Sequence, residues 1–162
     1  MNEDDRDQHN AEDLVNRYEK MVANDESYYF DIEEFEGIVD FYCDVNKFNQ
    51  ALNAITYAYT LFPENITLML RESQILAGMG RLTKALARLK TLEKFEPQNQ
   101  EVILTMASIY SQLREHKQAI ELFKRALLLS GDEAEEDIYL EIALEYENMD
   151  RLTVQSRYFK KH

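Results

Sequence analysis

The sequence is poor in residues that interrupt helices and in residues that crosslink a fold. Its 162 residues include four glycines, two prolines, one cysteine and no tryptophan. So few helix-breaking residues are typical of an all-helical chain. The single cysteine, Cys43, excludes an internal disulfide and a cysteine metal cluster, and it suits a reducing compartment.

Long apolar runs are also absent from the sequence. None reaches the roughly 18 residues that a membrane-spanning helix needs. The first ten residues, MNEDDRDQHN, are acidic and polar, unlike a secretory signal peptide. We therefore expect a cytoplasmic protein with no membrane association.

Charge is unevenly distributed along the chain, whose net charge is −13. Residues 1–44 carry a net charge of −12, and residues 131–150 hold nine acids and no base. Residues 45–130 carry +4, and residues 151–162 hold four bases and no acid. Nucleic-acid binding needs a continuous basic footprint, so this balance excludes a nucleic-acid partner and favours a basic one.

A period of 34 residues runs through the chain. Pro63 and Pro97 lie 34 positions apart, and Gly131 stands 34 positions further on. In the same register, alanine recurs at Ala51, Ala85 and Ala119, and a large apolar residue follows four positions later at Ile55, Leu89 and Phe123. Such a period indicates units of helix, turn and helix that bury their apolar faces only by stacking.

The pattern is similar to the tetratricopeptide repeat (TPR), which reads W-x2-L-G-x2-Y, then A-x3-F, then P. The first repeat offers Phe35, Ile38, Val39, Tyr42, Ala51, Ile55, Ala58 and Pro63. The third offers Ile103, Met106, Ala107, Tyr110, Ala119, Phe123, Ala126 and Gly131. The second keeps Gly80, Ala85 and Pro97 but has Glu72 and Ser73 at the Leu-Gly pair, and no repeat has the tryptophan.

This resemblance implies an all-α fold: an α-solenoid, wound as a right-handed superhelix of TPR-like hairpins. We expect an acidic disordered tail over residues 1–10 and an N-terminal capping helix with its link over 11–31. About four repeats then fill residues 32–162, at 32–65, 66–99, 100–133 and 136–162. The last fits after a two-residue shift that aligns Asp150-Arg151-Leu152 with Gly80-Arg81-Leu82. The expected total is nine helices.

Chemistry-bearing motifs are not found in the sequence. His9, His116 and His162 fall in the tail, a turn and the terminus, and on the predicted fold they do not converge with each other or with Cys43. There is no glycine-rich phosphate loop and no G-x-S-x-G elbow. We therefore expect no enzyme, with no catalytic residues, no cofactor and no metal.

The first helix of each repeat lines the concave side in the TPR family, and the resemblance implies peptide or protein binding there. The phase opposite the core slots gives nine candidate contact residues: Glu36, Asp40, Leu70, Arg71, Gln74, Leu104, Ser108, Leu140 and Glu141. A leucine row bordered by acids predicts a partner that is basic and has an apolar anchor. Alternatively, the leucines pack between neighbouring first helices and the acids only keep the protein soluble.

A second function remains open beside peptide binding. Leu152 and Phe159 face the side where a further helix would pack, and terminal repeats normally need a polar outer face. The chain is then a self-assembling structural module, or an interaction fragment of a larger protein, that associates through its uncapped C-terminal helix. A homo-oligomer through the C-terminal end is the expected consequence.

Overall fold

The computed structural model describes residues 2–131 and 135–160, and within these ranges it contains helices and no strands. There are eight helices in this described part: α1 (Glu3–Ala23), α2 (Ile32–Asp44), α3 (Phe48–Leu61), α4 (Ile66–Gly78), α5 (Leu82–Phe95), α6 (Gln100–Gln112), α7 (His116–Leu129) and α8 (Glu135–Lys160). The predicted all-α fold class is confirmed. Helices α2 to α7 are the first and second helices of three successive repeats.

Side-chain caps fix where the first helices begin. The Asp31 carboxylate accepts the backbone N–H of Glu34 at 2.8 Å, and the Glu34 carboxylate accepts that of Asp31 at 3.1 Å. This pair of hydrogen bonds is a capping box at the start of α2. Asn65 and Asn99 cap α4 and α6 in the same way, each accepting an N–H three residues on.

The link between the two helices of each repeat turns through one residue in the left-handed region. These residues are Asn46 (φ 59°), Gly80 (φ 78°) and Arg114 (φ 60°). Glycine adopts this conformation without steric cost, as at Gly80. At Asn46 and Arg114 the same turn forms at some cost in backbone energy.

The chain divides into two compact units, Met1–Met79 and Gly80–His162. In the first unit, α1 packs on α2, α2 on α3, and α3 on α4. An aromatic cluster joins the layers. The Tyr18 ring lies 6.3 Å from Phe30, 6.4 Å from Tyr42 and 6.3 Å from Tyr57, measured between ring centroids. Tyr18 thereby ties α1 to the first repeat as the predicted capping helix.

The capping helix is longer than the sequence predicts. We expected a disordered tail over residues 1–10, but α1 begins at Glu3. Its first turn carries Glu3, Asp4 and Asp5, and negative charge at a helix N-terminus is stabilised by the helix dipole. The described residues 2–10 are all exposed, so this extension adds no packing and rests on local helical bonding.

In the second unit, α5 packs on α6, α6 on α7, and α7 on α8. Small residues allow the helices to approach closely, and Ala85, Ala107, Ala119 and Ala126 are fully buried. The Gln100 amide donates to the carbonyl of Ala126 at 3.0 Å and to the Ser130 hydroxyl at 2.6 Å. This fork fastens the start of α6 to the end of α7.

The predicted fourth hairpin, residues 136–162, is not formed, and the expected ninth helix is wrong for the described chain. One 26-residue helix, α8, runs through Asp150, where a turn was expected. The predicted alanine slot holds Gln155, whose bulk opposes close approach of two helices. Residues 161 and 162 lie outside the described part.

The consequence is a helix with one covered side. Ile138 and Glu145 are buried, whereas Tyr139 and Tyr146 are 56% and 46% exposed. Residues 151–160 are exposed throughout.

We predict that Ala119→Leu lowers the free energy of unfolding by about 1–3 kcal/mol, because Ala119 is fully buried where two helices meet. Urea unfolding followed by circular dichroism measures the change. Ala87→Leu is the matched control, since Ala87 is exposed on α5. Equal stability of both variants and the parent would show that the repeat register is wrong.

Candidate interaction surface

Within each unit, successive first helices lie side by side. In the first unit, the Arg71 guanidinium of α4 forms an ion pair with the Asp40 carboxylate of α2. In the second unit, the Ser111 hydroxyl of α6 donates to the Glu145 carboxylate of α8. Each unit therefore presents a surface built from two adjacent first helices.

The first-unit surface is less acidic than the sequence suggests. Glu36, Arg71 and Gln74 are half-buried, and Asp40 is exposed. A second guanidinium nitrogen of Arg71 donates to Gln74 Oε1 at 3.3 Å. Because Arg71 balances Asp40, the carboxylate of Asp40 is not an isolated negative charge.

The three leucines of the predicted row differ in exposure. Leu70 is only 6% exposed, Leu104 is half-buried, and Leu140 is 60% exposed. Leu70 contributes to packing and offers little surface to a ligand, as the alternative interpretation of the row expects. Leu104 and Leu140 remain accessible in the second unit, where Ser108 and Glu141 are exposed beside them on the same two helices.

A buried polar cluster joins α6, α7 and α8, and sequence reasoning missed it. Glu145 is 2% exposed, and its carboxylate contacts both the Ser111 hydroxyl and His116 Nδ1. We expected His116 in a turn, but it is the first residue of α7 and is 9% exposed. The repeat register could have found the cluster, because the two-residue shift puts Glu145 in the slot of the buried Ile109.

The three groups of this cluster are arranged in a different order from those of a catalytic triad. In a serine–histidine–acid triad the histidine lies between the hydroxyl and the carboxylate. Here the carboxylate of Glu145 lies between Ser111 and His116, so the imidazole of His116 does not contact the hydroxyl in this arrangement. The cluster satisfies a buried carboxylate and thereby holds α8 against α6 and α7.

Two further polar groups lie at the interface of α1 and α2. The Tyr42 hydroxyl donates to the Glu19 carboxylate at 2.8 Å. Burial, followed by this hydrogen bond, raises the pKa of Tyr42. Burial, followed by the nearby charge of Asp44, raises the pKa of the Cys43 thiol, which disfavours the nucleophilic thiolate.

Among the described residues, no group of three or more His, Cys, Asp and Glu side chains lies close enough to hold a metal ion. In the same part of the chain, no helix combines the length and the apolar character that crossing a bilayer requires.

The sequence matches the tetratricopeptide repeat family over residues 44–102 and 79–136, two overlapping stretches that together take in more than half of the chain. None of the curated protein sequences matches it.

Solved structures share the fold at low sequence identity. A crystal structure of MamA is 17% identical, with a TM-score of 0.69, over 96% of this chain and 82% of that one. MamA from Desulfovibrio magneticus RS-1 is 16% identical, with a TM-score of 0.62, over 81% and 73% of the two chains. The first TPR of Spaghetti (RPAP3), bound to the HSP90 peptide SRMEEVD, is 13% identical, with a TM-score of 0.62, over 72% and 90%.

We predict that Glu145→Ala destabilises the protein by about 1–3 kcal/mol, because Ser111 and His116 lose their shared buried partner. Glu145→Gln is the matched control, since the amide keeps the shape and one acceptor oxygen, and it should cost clearly less. Thermal unfolding by circular dichroism compares the two. An alanine variant as stable as the glutamine variant would mean that the cluster does not hold α8.

Proposed function

Because the chain belongs to the tetratricopeptide repeat family, we propose that it is a non-enzymatic protein–protein interaction module that binds a peptide or protein segment on the surface of its first helices. The observation that carries this proposal is the alignment of first helices within each unit. That alignment places accessible side chains of two neighbouring first helices beside each other. A reducing, cytoplasmic setting belongs to the proposal and is supported by the single, half-buried thiol of Cys43.

The proposed ligand is a segment with one or two basic residues beside an apolar anchor. In the second unit, Leu104 and Leu140 offer apolar area and Glu141 offers negative charge, and in the first unit Glu36 offers negative charge. Burying the apolar side chains supplies most of the affinity, at about 25 cal/mol per Å². The acids chiefly speed association and reject acidic competitors.

An acidic ligand is disfavoured by the same residues. The RPAP3 domain in the comparison is bound to SRMEEVD, a peptide with three acids. On α2 of this protein, the corresponding surface carries Glu36 and Asp40, and Arg71 of α4 is already paired with Asp40. Placing like charges together costs several kcal/mol.

We predict that the peptide SRMEEVD does not bind, whereas the same peptide with its three acids replaced by lysine does. The lysine version keeps the apolar methionine and valine and carries positive charge, which the acidic surface attracts. Fluorescence anisotropy of labelled peptides at low and high salt measures both. Tighter binding of SRMEEVD than of the lysine version would contradict the proposed ligand class.

We predict that Leu104→Glu abolishes capture of the lysine peptide, because the substitution removes half-buried apolar area and adds a charge at the anchor site. Glu141→Lys, in the same unit as Leu104, should weaken binding less and reduce its salt dependence. Leu128→Glu is the matched control, since Leu128 is 86% exposed on α7. Circular dichroism must show that every variant is folded, and an unfolded Leu104→Glu would make that leucine a core residue.

Self-association through the C-terminal helix is the second candidate function. It is favoured by the exposure of residues 151–160, where Val154 is 66% and Phe159 68% exposed. Sedimentation equilibrium separates the two candidates, because peptide binding needs no oligomer. The same exposed helix would serve equally if the chain acts as an interaction fragment of a larger protein.

A further inference from the structure

Helix α8 carries a seven-residue repeat on the side turned away from its own unit. Its buried residues, Ile138 and Glu145, mark the covered side. A different side presents six residues spaced alternately by four and three positions: Leu140, Leu144, Glu147, Arg151, Val154 and Tyr158. Alternating spacing of this kind is the seam of a coiled coil, in which two helices wind around each other.

The seam is exposed along its whole length. The exposed fractions are 60% for Leu140, 44% for Leu144, 66% for Val154 and 63% for Tyr158. The side chains of Glu147 and Arg151 are 54% and 73% exposed, and they form an ion pair at 2.6 Å within the helix. Exposing four apolar side chains in one row to water is unfavourable in free energy, and a second helix would cover them.

The seam is complementary to itself in the antiparallel direction. A twofold axis through the helix at position 149 places each residue opposite the one equally far on the other side. Leu140 then meets Tyr158 of the second copy, and Leu144 meets Val154. At the centre, Glu147 meets Arg151, so the only polar layers pair opposite charges.

The charges flanking the seam have the same symmetry. Between residues 136 and 150, α8 has only acidic charges, and between 151 and 160 only basic ones. Antiparallel pairing sets each acidic half against a basic half, whereas parallel pairing sets acid against acid. In the parallel alignment Glu147 would also face Glu147 and Arg151 would face Arg151, at a cost in free energy.

We propose that α8 pairs antiparallel with α8 of a second copy of this chain, with the twofold axis near Met149. The inference rests on the second candidate function, self-association, and names its surface. The interface is isologous, so it closes at a dimer and does not grow into a filament. Leu140 belongs both to this seam and to the proposed peptide surface, so a peptide and a second copy compete for it.

The central ion pairs give a test in which each single variant loses dimer formation and a mixture of the two restores it. Glu147→Arg places two arginines opposite each other in both central layers, and Arg151→Glu places two glutamates there. Each variant alone should raise the dimer dissociation constant by about tenfold or more. An equimolar mixture should restore dimers, because every central layer again pairs opposite signs, and the intrahelical contact cannot be repaired by mixing.

Sedimentation equilibrium on the full chain provides the measurement, at about 0.1 M and at about 1 M salt, where exposed charges are screened. Leu144→Glu should also produce monomers, while Leu128→Glu, the matched exposed leucine on α7, should leave the dimer unchanged. Circular dichroism of each variant must retain the helical content of the parent. A dimer that persists in Leu144→Glu would overturn the α8 pairing and leave self-association standing, whereas a monomeric parent would overturn both.

Crosslinking tests the direction of the pair in a Cys43→Ser background. Chains carrying Leu144→Cys mixed with chains carrying Val154→Cys should form an intermolecular disulfide between the two types. Leu144→Cys alone should not crosslink, because antiparallel pairing separates its two thiols by about 15 Å along the axis. Efficient crosslinking of Leu144→Cys alone would show a parallel pair and reject the proposal.

Discussion

Every helix of this protein has an apolar side, and only a neighbouring helix can keep water from it. Alanines at the tightest contacts, such as Ala51 and Ala119, let the helical backbones approach while larger residues fill the remaining space. Helix α1 covers the apolar side of the first repeat and contributes Tyr18 to a shared aromatic cluster. In the described residues, no helix covers the outer side of α8, and many of the exposed large apolar side chains lie on it.

The fold could be predicted wherever the repeat period was intact. Three alanine slots and two prolines placed the repeats that contain α2 to α7, because these positions mark packing that recurs from repeat to repeat. The period failed at Asp150. Asn46 and Arg114 turn their helices without glycine, so residue type alone does not tell a turning position from a helical one. Gln155, in the predicted alanine slot, opposes the close approach that a second helix there would need, and α8 continues as one helix.

The candidate surface was predicted less completely than the fold. Helical phase placed Leu104, Ser108 and Glu141 on accessible faces, since phase depends only on a helix and its core side. Contacts between side chains of different helices could not be predicted. The ion pair of Arg71 with Asp40 joins residues 31 positions apart, and Glu145 meets Ser111 across 34. Such contacts depend on side-chain reach between helices, which spacing does not encode.

The buried polar cluster beneath α8 sets the order in which the helices of the second unit unfold. In the described part of α8, the buried side chains are Ile138 and Glu145, so lifting the helix rehydrates a carboxylate and few apolar side chains of α8 itself. Such a detachment lies at the low-energy end of local unfolding. Backbone amides of α8 then exchange with solvent hydrogen when α8 alone detaches. Those of α6 and α7 exchange only when the whole unit unfolds. A partner bound to α8 therefore slows exchange in that helix first, whatever its identity.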